Sequence, residues 1–129
     1  MLNAIETRET LRAEYMADVR KSDERLDELH KQDLAIEASL DKYFDHQVKL
    51  RVMLDEVQSE RINNGVYDGL HLYDEARETV QSDYNKLENA LTTTQEEIKV
   101  ERRSIVKQKE DLEQEYNRAI KELEEETVK

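Results

Sequence analysis

Three histidines, His30, His46 and His71, are the side chains best suited to bind a metal or move a proton near neutral pH. Two follow a carboxylate three residues earlier, as Asp27-x-x-His30 and Asp68-x-x-His71. On a helix that spacing places both groups on one face, as in the metal sites of helical bundles. A metal site needs three or four converging ligands, and helix rise separates these two pairs by roughly 50 Å in a chain folded back on itself. The expectation is therefore surface histidine, with no metal and no cofactor. No cysteine is present, so thiol chemistry and disulfides are excluded. Carboxylates are abundant, but proximity without a pocket makes no general acid or base. The expectation is a protein that is not an enzyme. Lys99, Arg102, Arg103, Lys107 and Lys109 form a basic patch with only Glu101 among them. Pairing with acidic residues, on this helix or on a partner, is its expected role.

What would hold such residues in place follows from composition. Charged residues make up 40% of the 129, aromatics 5%, and tryptophan and proline are absent. Too few large apolar groups exist for a globular core. Rich Ala, Glu, Lys, Leu, Arg and Gln content favours long helices over disorder. The formal net charge of −12 opposes binding to phosphate backbones and anionic lipid, so neither nucleic acid nor membrane is an expected partner. No run is apolar enough for a signal peptide or a membrane span, and the expected location is cytoplasmic.

The only two glycines lie in Asn63-Asn64-Gly65-Val66-Tyr67-Asp68-Gly69. The sequence predicts an all-α helical hairpin, or coiled coil, in a single domain spanning 1–129: helix 3–63, bend 63–69, helix 69–127. Asn64, Gly65 and Gly69 make the bend, Gly65 closing the first helix in the left-handed conformation and Asp68 capping the second. Asn3 and Glu6 form a capping box at the start. Apolar residues then recur at alternating three- and four-residue steps, which keeps one narrow face toward a partner helix. One row of the first helix runs Ile5, Arg12, Val19, Leu26, Asp33, Leu40, Gln47, Leu54, Arg61; the other runs Arg8, Tyr15, Ser22, Leu29, Ile36, Tyr43, Leu50, Val57. On the second helix the rows begin Leu70, Arg77, Tyr84, Leu91 and Tyr73, Val80, Leu87, Thr94. The second row turns polar after Leu87, and toward the C-terminus the stripe drifts onto Tyr116, Ile120 and Leu123. Residues whose numbers sum to about 134 would face each other, giving Leu54 opposite Val80, Gln47 opposite Leu87 and Arg8 opposite Glu126. The same register sets Asp33 against Glu101, which would repel unless splayed, hydrated or served by Arg102, Arg103 or a partner.

Phe44, Val48 and Val52 lie outside this seam at four-residue steps, so they line one side of the first helix. An aligned apolar row outside the seam is the expected partner-binding face, with Phe44 as its anchor.

The stretch Gln95-Glu96-Glu97-Ile98-Lys99-Val100-Glu101-Arg102-Arg103, with Lys107-Gln108-Lys109-Glu110-Asp111-Leu112-Glu113-Gln114-Glu115-Tyr116, resembles the small α-helical targeting factors associated with LXG toxins of type VII secretion. The two-helix architecture and the glycine-marked bend are similar to the same group. The resemblance implies a targeting factor or chaperone that binds the helical N-terminal domain of an LXG-type toxin, alone or with a second small helical factor. It also implies co-export with that toxin. Related secreted hairpins carry Trp-x-Gly at the bend, and this chain has Asn64-Gly65 and Asp68-Gly69 instead. Their export signal, Tyr-x-x-x-Asp/Glu, is matched only by Tyr84-x-x-x-Glu88, inside the second helix. The competing expectation is a self-associating structural coiled coil, a homo-oligomeric scaffold or spacer.

Overall fold

In the computed structural model residues 3–128 are described; Met1, Leu2 and Lys129, part of the domain expected over 1–129, lie outside them, as does the Val128 side chain. The described chain is all-α, with α1 at Ala4–Asn63 and α2 at His71–Val128. The capping box is present: Asn3 Oδ1 accepts from the Glu6 backbone N–H at 2.9 Å, and Glu6 Oε2 accepts from the Asn3 N–H at 3.3 Å. These bonds satisfy backbone donors that a helix start leaves unpaired.

α1 ends in a Schellman motif. The Gly65 N–H donates to the Ile62 carbonyl at 3.0 Å and the Val66 N–H to that of Arg61 at 2.8 Å. Gly65 sits at φ +73°, where an L side chain is strained. Gly69 repeats this φ, and α2 opens on backbone bonds from Leu72 to Gly69 and from Tyr73 to Leu70. The second helix thus starts two residues later than expected. Asp68 is not its side-chain cap; the Asp68 carbonyl instead accepts from Arg61 Nη2 at 3.2 Å.

The chain packs as two compact units. Asp33–Glu96 is a helical hairpin containing the bend. Its seam is lined by Ile36, Leu40, Gln47, Leu54 and Gln58 on α1 and by Tyr73, Arg77, Val80, Tyr84, Leu87 and Leu91 on α2. Tyr43, Leu50 and Val57, expected there, are exposed. Near the bend the expected register holds: Arg61 lies 6.0 Å from the centre of the Tyr73 ring, and Arg77 reaches Asp55 and Gln58 on either side of Val57. Farther out it slips. Gln81 bonds Gln47 and Arg51 rather than facing Met53, and Tyr84 meets Phe44 rather than Leu50.

The other unit pairs 3–32 with 97–128. Leu29, Ile98 and Ile105 are its buried apolar residues. Tyr15 and Tyr116 stack with ring centres 4.5 Å apart, which puts Tyr116 in the seam. Arg8 pairs with Glu124, not Glu126. Ile5, Arg8 and Arg12 are exposed, and Ala4, Thr7 and Leu11 take their places against α2. On α2 the drift begins well before the C-terminus. From Leu91 the covered positions run Gln95, Ile98, Glu101 with Arg102, Ile105, Lys109, Leu112, Tyr116, so the second row moves one residue along from Thr94 onward, with Glu101 still half-covered. Two successive four-residue steps, Leu87 to Leu91 to Gln95, amount to a stutter, which locally unwinds a coiled coil.

Candidate partner-binding face

In the hairpin unit the side chains of Gln47, Gln81 and Asp33 are hydrogen-bonded, whereas the buried Arg61 Nε has no hydrogen-bond partner. Gln47 is only 6% exposed, and its Nε2 donates to Gln81 Oε1 at 2.7 Å. Gln81 Nε2 in turn donates to Asn85 at 2.9 Å. Asp33, also half-buried, accepts from Gln95 Nε2 at 3.2 Å. In the other unit Glu101 is gripped by Arg25, Nε to Oε1 at 2.8 Å and Nη2 to Oε2 at 3.2 Å. Each carboxylate of the troublesome predicted pair therefore has its own partner within its own unit, and the base that serves Glu101 is Arg25, not Arg102 or Arg103. Hydrogen bonds to Glu101, then Glu28, raise the Arg25 pKa above its ordinary value.

The apolar side chains are different. Phe44 is 51% exposed, Val48 42% and Val52 48%, on successive turns of α1. Four-residue steps gain about 40° per turn over the helix repeat, so the row turns progressively away from the seam positions Leu40, Gln47 and Leu54 between Phe44 and Val52. Phe44 is not wholly clear of the seam. Its ring meets the Tyr84 ring edge-on, with centres 6.1 Å apart. Burial, then the nearby carboxylates of Glu88 and Asp41, holds the Tyr84 hydroxyl above its ordinary pKa. The row thus begins at the seam edge with an anchored aromatic and runs outward over two valines.

Periodicity pointed to one row and missed a second. Tyr43, Leu50, Met53 and Val57 are exposed on the opposite flank of the same stretch of α1. The heptad places Tyr43, Leu50 and Val57 in the seam, but not Met53; the seam keeps the expected Gln47 and takes up Gln58 instead. In this unit α2 leaves one large apolar side chain exposed beyond the bend, Leu72.

His30, His46 and His71 are exposed, and Asp27 pairs with Lys31 at 3.0 Å. Among the described residues no three His, Asp or Glu side chains are grouped to hold a metal ion. Among them, too, no helix is long and apolar enough to cross a membrane. Asn64, Gly65 and Gly69 all lie in the bend as expected.

No known protein family, curated protein or solved structure matches the chain.

Proposed function

We propose that the chain is a non-enzymatic binding module that receives a helix of another protein on the Phe44, Val48 and Val52 face of α1. The observation that carries this is the row itself: three exposed apolar side chains on consecutive turns, led by an aromatic already held at one edge by Tyr84. A partner helix laid along it would bury all three, and a preorganised aromatic costs little entropy on docking. The resemblance to LXG-associated targeting factors supplies the partner: the helical N-terminal domain of an LXG-type toxin, held in the cytoplasm with its apolar faces covered and presented for type VII secretion. Acting as a chaperone in this way requires no cofactor.

The test is co-expression with such a domain, followed by purification of the complex. A stoichiometric heteromer with a more soluble or more helical toxin domain supports the proposal. A toxin domain that is equally soluble and stays apart during purification contradicts it. The second flank of Tyr43, Leu50 and Val57 favours one other reading, a self-associating coiled-coil scaffold. That reading expects a homo-oligomer broken by Leu50→Glu.

A further inference from the structure

The face of α2 from Lys99 to Glu125 changes sign along its length. Positions 99, 103, 106, 110, 113, 117, 121 and 124, at three- and four-residue steps, lie on one side of the helix. Lys99, Arg102, Arg103 and Lys107 are followed by Glu110 and Glu113, then by Arg118 and Lys121, then by Glu124 and Glu125. Arg103 and Lys107 are exposed, and no side chain among the described residues pairs with either. Beside them runs an open groove. It measures about 350 Å³ and runs between the two helices of this unit, with Tyr15 and Val19 on one side and Val106, Glu110 and Glu113 on the other.

We infer that this face docks against the same face of a second copy, the two α2 helices running antiparallel. The inference stands apart from the toxin-binding proposal and uses the other unit of the chain. Charge complementarity selects both occupant and direction. Laid parallel, two such faces would stack cations on cations. Laid antiparallel with the two-fold axis between Glu115 and Tyr116, Glu110 of one copy meets Lys121 of the other, Glu113 meets Arg118 and Lys107 meets Glu124. Glu125 then faces Val106, with Arg103 one turn away, and uncharged Gln114 and Asn117 meet at the axis. Every pair occurs twice, as a two-fold interface requires. Glu124 also pairs with Arg8 of its own chain, so Lys107 would share it. The net charge of −12 repels at long range, but at about 0.1 M salt that repulsion is screened beyond about 10 Å while contact pairs persist.

Reciprocal charge reversal tests this with the full chain. Arg103→Glu with Lys107→Glu makes one variant; Glu124→Lys with Glu125→Lys makes the other. Sedimentation velocity at about 0.1 M salt should show a wild-type dimer, and each variant alone should dimerise at least about tenfold more weakly. The two mixed should restore the dimer, since both reversed ends then face complementary charge. Circular dichroism on each variant separates unfolding from lost docking, and the mixture serves as its own control, because an unfolded variant cannot be rescued by pairing. A wild-type monomer at roughly 100 µM, a variant that dimerises as wild type does, or a mixture that stays monomeric would each overturn the inference.

Discussion

Replacing Gln47 with leucine should stabilise the hairpin unit. Gln47 is the one buried polar residue of the seam, 6% exposed, and its amide donates to Gln81 at 2.7 Å. Leucine of similar volume would gain the transfer energy of a buried aliphatic side chain, about 1.5–3 kcal/mol. The lost neutral hydrogen bond costs about 0.5–1.5 kcal/mol net. Gln81 is not orphaned, because its Oε1 still accepts from Arg51 at 3.3 Å and its Nε2 still donates to Asn85 at 2.9 Å. The balance favours Gln47→Leu by about 1 kcal/mol, or about 4 °C in melting temperature for a chain of this size. Gln47→Ala, which loses the bond and leaves a void, should fall below wild type. Thermal and urea unfolding followed by circular dichroism would measure both. If Gln47→Leu is less stable than wild type by about 1 kcal/mol, the polar layer is worth more than apolar filling, and the burial reasoning used here fails at this level of the seam.

Further outcomes follow from the same geometry. Leu29→Ala, at a site 1% exposed, should cost about 2–5 kcal/mol in chemical unfolding, as deletions from packed cores do. Gly65→Ala should cost about 1–2 kcal/mol through backbone strain alone, since an added Cβ there meets nothing within 4 Å; Gly65→Asn should cost less. In an alkaline titration followed by tyrosinate absorbance, Tyr84 should ionise after an ordinary tyrosine, because burial and the carboxylates of Glu88 and Asp41 raise its pKa. The folded state then holds that proton more tightly than the unfolded one, so stability falls as pH rises above about 10, and Tyr84→Phe should remove that part of the loss.

The two helices and the bend were legible because they rest on local chemistry: a capping box at Asn3 and Glu6, the absence of proline, and a glycine where the backbone turns left-handed. The inner row of α2, Leu70 through Ala119, was legible for the same reason, and all its members are covered. What a heptad count could not supply was phase. On α1 it put Gln47 inward, as found, but also Tyr43, Leu50 and Val57, while the seam takes Gln58, which accepts a hydrogen bond from Arg77 across it. On α2 a one-residue shift after Leu91 replaced Thr94 and Glu101 with Gln95 and Arg102 as best-fitting positions, though Glu101 stays half-covered through Arg25. Both errors come from long polar side chains, which bury their stems while keeping their ends paired. The Phe44, Val48 and Val52 row was legible as exposed, but the contact of Phe44 with Tyr84 depends on the slipped register and left no trace in spacing.

That contact sharpens the decisive measurement. Half-buried Phe44 supports the hairpin as well as the proposed interface, so Phe44→Ala should lower hairpin stability by about 1 kcal/mol. As the anchor of a docked helix it should weaken binding far more, by about 2–4 kcal/mol. Val48→Glu with Val52→Glu should weaken binding while leaving the melt almost unchanged, because neither valine touches the seam. Titration calorimetry of wild type and both variants against the helical N-terminal domain of an LXG-type toxin, each beside a thermal melt, tests the account directly. It predicts tight wild-type binding and a loss in both variants larger than any loss of stability. Unchanged affinity in the Val48/Val52 variant, or no binding by wild type, would contradict it.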